Sequence, residues 1–98
     1  NPEQLFAAGF AACFHNALIL VARQARQDVT GSSVTARVGI GKLVDSVGYS
    51  LRVDLVVEVP GLAEDVARDL VAKADVVCPY SNATRGNIAV THEVIPAA

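Results

Sequence analysis

The hydrophobic pattern starts with an almost unbroken apolar stretch near the beginning of the chain, at residues 5–22, LFAAGFAACFHNALILVA. A stretch of this length approaches that of a transmembrane helix. Its centre, however, carries His15 and Asn16, which are costly in lipid, and its many small residues lower its hydrophobicity. The stretch therefore predicts a buried helix of a soluble protein, apolar on nearly all sides, and not a membrane span.

Polar residues define the two ends of this helix. Asn1 is suited to cap it, Pro2 suits its first position, and Gln4 has the spacing of a capping box. The apolar pattern gives way to polar residues towards Gln27, where the helix is predicted to end. Gly9 is the position at which it would bend, or break into two helices.

The rest of the pattern predicts three strands and a second helix. Residues 33–44 and 48–59 are rich in β-branched side chains and alternate in part, which is typical of two adjacent antiparallel strands. Apolar positions within residues 62–77 recur with helical spacing, and this helix must end before Pro79, which disfavours helical backbone at the preceding residue. Residues 87–95 form the third predicted strand.

The order α-β-β-α-β predicts a single α+β domain over residues 1–98, with two helices packed on an antiparallel sheet. Composition changes this picture in one respect: 52% of the residues are hydrophobic, which is more apolar surface than so short a chain is expected to hide by itself. We therefore expect a further buried face, most simply a homo-oligomer interface, although N-terminal strands missing from this sequence could also cover the first helix. The net charge of −2 and the lack of a basic cluster give no support for nucleic-acid binding.

Cys13 and Cys78 are the candidates for chemistry, and the residues alone leave four roles open for them. They could be buried side chains of the core, since free cysteine is among the most buried residue types. A metal site is disfavoured because paired ligand spacing is missing, and no cofactor is expected. A structural disulfide is disfavoured because no secretory signal is present, which favours a reducing cytoplasm. The fourth role is a reacting pair of thiols.

Two long and specific segments surround these cysteines: NPEQLFAAGFAACFHNAL at residues 1–18 and VCPYSNATRGNI at residues 77–88. Together they resemble the organic hydroperoxide resistance (Ohr) branch of the OsmC/Ohr family, and the resemblance extends over essentially the whole chain. It implies an OsmC-like fold with a long central helix, in an intertwined homodimer with its active sites at the interface. It also implies a thiol-dependent peroxidase that reduces organic hydroperoxides to alcohols.

The resemblance assigns a role to each cysteine. Cys13 is the peroxidatic residue, whose thiolate attacks the peroxide and becomes a sulfenic acid. Cys78 is the resolving residue, and the resulting disulfide is reduced by a dithiol donor, dihydrolipoamide on lipoylated proteins. Glu3 corresponds to a glutamate that holds an activating arginine. In the family that arginine precedes the NPEQ motif together with N-terminal strands, so this sequence lacks it. Arg85 is the best internal candidate for a nearby cation, but its ordinary role is that of an exposed or loop-anchoring arginine.

Apolar and proline residues complete the expected site. Three phenylalanines recur every four residues, which predicts core packing or the wall of a pocket for alkyl hydroperoxides: Phe6, Phe10 and Phe14. Pro79 is expected to stop the second helix, so that Cys78 lies at a loop boundary that can move, with Tyr80 beside it.

A different class of function stays open beside the peroxidase. Because the activating arginine is absent from the sequence, the same fold could serve as a non-catalytic dimeric module or as a thiol redox sensor. His15 does not strengthen either reading. It lies two residues from Cys13 and points to a different side of the helix, so we expect a histidine satisfied by a neighbour and not a catalytic base.

Overall fold

The computed structural model describes residues 1–96, and the last two residues of the predicted domain lie outside this range. The elements in chain order are helix α1 (Pro2–Gln24), strands β1 (Ser33–Lys42) and β2 (Tyr49–Val59), helices α2 (Glu64–Val77) and α3 (Pro79–Thr84), and strand β3 (Val90–Pro96). The predicted α+β class is confirmed. The short helix α3 is an element that the sequence pattern did not predict.

Helix α1 is one continuous helix of 23 residues, and Gly9 does not interrupt it. The predicted capping box is formed: the Gln4 N–H donates to the Asn1 side chain at 2.8 Å, and the Asn1 amine donates to the Gln4 side chain at 3.2 Å. The helix ends at Gln24, earlier than predicted. Just beyond it Arg26 adopts a left-handed backbone conformation with φ of 57°, which turns the chain away.

Helix α1 is long and apolar enough to cross a membrane by length and composition. In the structure, however, one of its faces is covered by the sheet and by α2. Its buried side chains recur with helical spacing: Phe10, Phe14, Ala17, Leu18, Val21 and Ala22. Leu5 and Leu20, in contrast, are exposed. The helix is therefore a core helix whose remaining apolar surface this chain leaves uncovered.

The three strands form one sheet in the order β1-β2-β3. Strands β1 and β2 are antiparallel, as predicted, with Ser33 opposite Glu58 at one end and Lys42 opposite Tyr49 at the other. Strand β3 is parallel to β2, so the sheet is mixed and not entirely antiparallel. The physical reason is the connection, because α2 and α3 carry the chain back along the sheet before β3 begins, and such a crossover joins parallel strands.

Strand β2 lies at the centre of the core because alternate side chains of a strand point to the same face. Four of them are fully buried: Val53, Leu55, Val57 and Val59. Helix α2 contributes the facing layer with Ala67, Leu70, Val71 and Ala74. Each fully buried valine or leucine stabilises the fold by about 1.5–3 kcal/mol relative to an exposed one. The same layer holds α2 beside α1, and this places the two cysteine-bearing helices in contact.

The far end of the β1–β2 hairpin is apolar but not buried. Val44 and Val47 in the turn are 95% and 99% exposed, and Ile40 and Tyr49 on the adjoining strands are also exposed. The hairpin contributes to an elongated molecule with a longest extent of 47 Å. These side chains account for part of the excess apolar surface that the composition indicated.

Candidate active site

The two cysteines, 65 positions apart in the chain, meet in the structure. Their Sγ atoms lie 3.2 Å apart, and both residues are free thiols. Cys78 is fully buried, whereas Cys13 is partly exposed. Because the S–S bond of a disulfide is about 2.05 Å long, an approach of roughly 1.2 Å would join the two sulfurs. The structure therefore brings together the two residues that the sequence pointed to.

Cys78 lies at a junction between two helices, where we predicted a boundary between a helix and a loop. Its N–H donates to the Ala74 carbonyl at 2.9 Å and closes α2, while its carbonyl accepts from the Asn82 N–H at 3.0 Å and opens α3. Its backbone is extended, with φ of −67° and ψ of 120°, as is usual before proline. Pro79 ends one helix and starts the next, since proline suits the first position of a helix.

The junction leaves carbonyl groups of α2 without their usual helical donors. The Asp75 carbonyl would pair with the amide of residue 79, but Pro79 has no N–H. Instead, Arg85 Nη2 donates to the Asp75 carbonyl at 2.7 Å and to the Asp75 carboxylate at 3.2 Å. Asn82 Nδ2 donates to the Val76 carbonyl at 3.1 Å, and Arg85 Nη1 donates to Asn82 Oδ1. Side chains of α3 and the residue after it thus cap α2.

This capping also decides the role of Arg85 as a candidate cation. Its guanidinium is engaged by Asp75 and Asn82, at the end of α2, and makes no contribution to the pKa of Cys13. Of the two roles that we considered for Arg85, the structure therefore supports the arginine that anchors its loop and not the cation beside Cys13. A basic side chain at the C-terminal end of a helix is favourable because the helix dipole places negative charge there.

The sulfur of Cys13 experiences opposing influences on its pKa. Burial is the largest, and it raises the pKa of the Cys13 thiol above its ordinary value, because a thiolate is poorly solvated there. The backbone N–H of Tyr80, in the first turn of α3, lowers the pKa by donating towards the sulfur, while Cys78 raises it further. Within residues 1–96 no positively charged side chain lowers the pKa of Cys13 to offset the effect of burial.

The aromatic residues separate into two groups. Phe6, Phe10 and Tyr80 form one cluster, with Phe10 edge-on to both other rings at 5.8 Å between centroids and Phe6 stacked on Tyr80 at 6.3 Å. Phe14 lies apart from this cluster and packs against His92, with ring centroids 5.4 Å apart. The structure thus brings two of the three predicted phenylalanines to Tyr80, and it buries both Phe10 and Phe14 fully in the core.

Gly9 explains how the Tyr80 ring can lie so close to α1. A Cβ atom added at this glycine would sit 3.3 Å from Tyr80 Cε2 and 3.5 Å from its hydroxyl. The ring therefore occupies the space that a side chain would take. The glycine that we predicted as a bend serves instead as a contact surface for α3.

An open groove of about 340 Å³ runs beside Cys13 between α1 and the end of α2. It is lined by Cys13, Asn16, Ala17, Leu20, Val77 and Pro79. Its walls are mostly apolar, yet none of the three predicted phenylalanines is among them. Three of the lining residues follow Cys13 at helical spacing, at positions 16, 17 and 20. This side of the groove could therefore have been predicted from the sequence, because residues three, four and seven positions apart share a helix face.

The remaining candidates lie away from the thiols. Glu3 is half-buried in the first turn of α1 and precedes Cys13 by roughly 15 Å along the helix axis, at 1.5 Å of rise per residue. His15 Nε2 lies 2.9 Å from Ser32 Oγ, as expected for a histidine satisfied by a neighbour. In the part of the chain that the structure describes, no group of three or more His, Cys, Asp or Glu side chains is arranged to hold a metal ion.

Comparison with known proteins gives consistent matches. The sequence profile of the OsmC-like protein family matches residues 1–93. The organic hydroperoxide resistance protein of Xanthomonas axonopodis pv. citri is 51% identical over 92 residues, which are 93% of this chain and 63% of that protein. The organic hydroperoxide resistance protein OhrA of Bacillus subtilis is 54% identical over 94 residues, which are 96% of this chain and 66% of that protein.

A solved structure extends the likeness to three dimensions. The crystal structure of an organic hydroperoxide resistance protein from Elizabethkingia anophelis superposes with a TM-score of 0.93 at 50% identity, covering 98% of this chain and 68% of that one. This chain therefore spans about two thirds of the length of the relatives that it matches.

Proposed function

Since the chain belongs to the OsmC-like protein family, we propose that it is a thiol-dependent peroxidase that reduces organic hydroperoxides to alcohols. The observation that carries the proposal is the pair of free thiols 3.2 Å apart, one of which borders an apolar groove. The relatives that share half of its residues are named for organic hydroperoxide resistance, and this supports the choice of substrate class.

In the proposed reaction the Cys13 thiolate attacks the distal oxygen of the hydroperoxide. An S–O bond forms, the O–O bond breaks, and the departing alkoxide takes a proton and leaves as the alcohol. Cys13 is then a sulfenic acid. The Cys78 sulfur attacks the Cys13 sulfur, the S–O bond breaks, and the hydroxide leaves with the Cys78 proton as water. The two electrons that reduced the peroxide have come from the two thiols, which end as a disulfide.

Features around the thiols suit these steps. The apolar walls of the groove, including Leu20 and Val77, fit an alkyl substituent better than they fit hydrogen peroxide. The Tyr80 N–H favours negative charge on the Cys13 sulfur. Cys78 is already in contact and fully buried, so a sulfenic acid on Cys13 meets its resolving partner before a second peroxide can oxidise it further.

Activation of Cys13 is the step of the proposed reaction to which the residues of this chain contribute least. Burial raises the pKa of Cys13 and so disfavours the thiolate that must attack the peroxide. We propose that an arginine outside this sequence supplies the missing positive charge and that Glu3 holds it. Because Glu3 lies roughly 15 Å along α1 from Cys13, it can act on the sulfur only through another group, and a long guanidinium side chain meets that need.

The proposal includes a homodimer, a reductant and a compartment. A second copy would cover apolar side chains that this chain leaves exposed, among them Leu20, Val76 and Val77. A dithiol such as dihydrolipoamide on a lipoylated protein would attack the Cys13–Cys78 disulfide and restore both thiols by exchange. A reducing cytoplasm suits a pair of cysteines that must return to the thiol state after each cycle.

The direct test is peroxidase turnover. Consumption of cumene hydroperoxide with dihydrolipoamide as reductant should be lost in Cys13→Ser, whereas Cys78→Ser should still react once and then stop as a sulfenic acid. Mass spectrometry after one equivalent of peroxide should find an intramolecular Cys13–Cys78 disulfide in the unaltered protein. Equal rates in the unaltered protein and Cys13→Ser would overturn the assignment of Cys13.

A second candidate function, a thiol redox sensor without turnover, is favoured by one observation. The raised pKa of Cys13 describes a slow nucleophile. A sensor would form the same disulfide at high peroxide but would not be recycled by dihydrolipoamide. Measuring disulfide formation and dithiol-dependent turnover on the same sample therefore separates the two candidates.

A further inference from the structure

The junction between α2 and α3 combines two tasks at neighbouring residues. Cys78 must lie against Cys13, and Tyr80 must turn its N–H towards the Cys13 sulfur instead of pairing it within α2. In an uninterrupted helix the Tyr80 N–H would donate to the Val76 carbonyl, four residues back. The sharp turn at Pro79 removes both this bond and the one to the Asp75 carbonyl. The geometry of the site thus depends on a break in a helix.

Two side chains compensate for that break. Arg85, which follows α3, donates to the Asp75 carbonyl at 2.7 Å, and Asn82 donates to the Val76 carbonyl at 3.1 Å. The two side chains also bond to each other, because Arg85 Nη1 donates to Asn82 Oδ1. Arg85 in addition meets the Asp75 carboxylate at 3.2 Å. Both carbonyls that the junction deprives of an amide donor therefore receive a side-chain donor from beyond the turn.

The Asp75 carboxylate also lies close to the sheet. Its other oxygen is 3.4 Å from His92 Nε2 on β3, although the two atoms form no hydrogen bond. His92 in turn packs against Phe14 of α1, one residue after Cys13. The end of α2 is thus bonded to the residues after the turn and lies next to a strand residue that contacts the Cys13 helix.

We propose that Arg85 and Asn82 are positioning residues that hold the α2–α3 junction closed, so that Cys78 stays within reach of Cys13. They touch neither the thiols nor the groove. This inference rests on the proposed peroxidase chemistry, because it assigns to them the resolving step of that reaction. Without them the junction opens, and the sulfenic acid on Cys13 waits longer for Cys78.

The test measures how much of the Cys13 sulfenic acid forms the disulfide with Cys78 and how much reacts with an added trapping reagent. The protein is oxidised with cumene hydroperoxide in the presence of dimedone, which forms a carbon–sulfur bond to the sulfenic acid and releases water. Mass spectrometry then gives the ratio of the Cys13–dimedone adduct to the Cys13–Cys78 disulfide. For Arg85→Gln we expect resolution to be about tenfold slower, the scale set by loss of one charge-assisted hydrogen bond, with the adduct increased accordingly.

Matched variants distinguish positioning from simple destabilisation. Arg85→Lys, which keeps one charged donor, should restore part of the disulfide fraction. Arg68→Gln removes a comparably exposed arginine, which forms an ion pair with Glu64 on α2. This control should give the same ratio of dimedone adduct to disulfide as the unaltered protein. Asn82→Asp keeps the acceptor for Arg85 but loses the donor to the Val76 carbonyl, so it should also increase the adduct at the expense of the disulfide. It provides the test if Arg85→Gln fails to fold.

A second readout does not depend on stability at all. If the junction opens, the Tyr80 N–H moves away and the pKa of Cys13 rises, so alkylation of Cys13 in folded Arg85→Gln should require a higher pH than in Arg68→Gln. An unchanged ratio and an unchanged alkylation profile in folded Arg85→Gln and Asn82→Asp would overturn the inference. Absence of both sulfenic acid and disulfide in the unaltered protein would instead overturn the proposed peroxidase function.

Discussion

Three features of its surroundings act on the pKa of Cys13: burial, a backbone donor and a second thiol. Burial is the strongest influence and favours the neutral thiol, whereas the Tyr80 N–H favours the thiolate. Cys78 raises the pKa further, because its hydrogen bond and its own charge both disfavour a thiolate next to it. The reactivity of this residue is therefore set by its neighbours and not by its type.

The raised pKa of Cys13 predicts how its reactivity depends on pH. Because only the thiolate reacts, alkylation of Cys13 by iodoacetamide should quicken about tenfold for each pH unit from pH 6 to pH 8 and level off only above the raised pKa. In Cys78→Ala the influence of the second thiol is removed, so the pKa should fall and the curve should move to lower pH. A plateau reached below pH 7 in the unaltered protein would contradict this prediction.

Among the elements, the first turn of α1 and the two faces of β2 illustrate how local sequence becomes structure. The capping box at Asn1 and Gln4 supplies acceptors and donors that the first turn of a helix lacks within itself. In β2, buried and more exposed side chains alternate because successive residues of a strand point to opposite faces. Both features follow from backbone geometry and were predictable.

The cap of α1 predicts a measurable stability effect. Asn1→Ala removes the acceptor for the Gln4 N–H and should lower the free energy of unfolding by about 1 kcal/mol. Asn1→Ser keeps a capping oxygen and serves as the control, with a change of only a few tenths of a kcal/mol. Urea denaturation followed by circular dichroism measures both. Equal losses in the two variants would show that the side-chain acceptor is not what matters.

The two faces of β2 predict a contrast between neighbouring valines. Val57→Thr places a hydroxyl in a fully buried position without an obvious partner and should cost about 1–3 kcal/mol of unfolding free energy. Val56→Thr makes the same chemical change on the opposite, half-buried face and should cost less than about 1 kcal/mol. Urea midpoints at matched m-values test the difference. Similar costs at both positions would argue against the register of this strand.

For the whole molecule, the unequal distribution of apolar surface is the main feature. The helices and sheet enclose one core, yet apolar side chains remain exposed along α1, at the end of α2 and at the hairpin tip: Leu5, Leu20, Val44, Val47, Val76 and Val77. A small monomer seldom leaves so many large apolar side chains in water. This surface supports the proposal that the chain acts as a homodimer.

The proposed dimer predicts that a charge beside the groove weakens self-association. Leu20 is 46% exposed and lines the groove next to Cys13, so Leu20→Glu should shift the protein towards the monomer in sedimentation velocity at micromolar concentration. Thr35→Glu places the same charge at an exposed position of β1 and should leave the association unchanged. A monomeric unaltered protein, or a dimer insensitive to Leu20→Glu, would contradict the prediction.

Residue patterns alone were enough to predict the order of the main elements, the cap of α1, the antiparallel hairpin and the two cysteines of interest. These depend on side-chain periodicity and on hydrogen bonds between residues close in the chain, which local patterns record directly. The likeness of its two cysteine motifs to the Ohr branch also pointed to a dithiol pair, and their sulfurs lie in contact.

The other features depend on how the folded chain packs. This packing made β3 parallel to β2, replaced the expected loop after Cys78 by α3, and gave Arg85 to the end of α2 instead of to Cys13. It also lined the groove with Leu20 and Val77 and left the phenylalanines to other clusters. Each of these outcomes depends on which distant segments meet once the helices pack on the sheet, and spacing along the chain does not encode that.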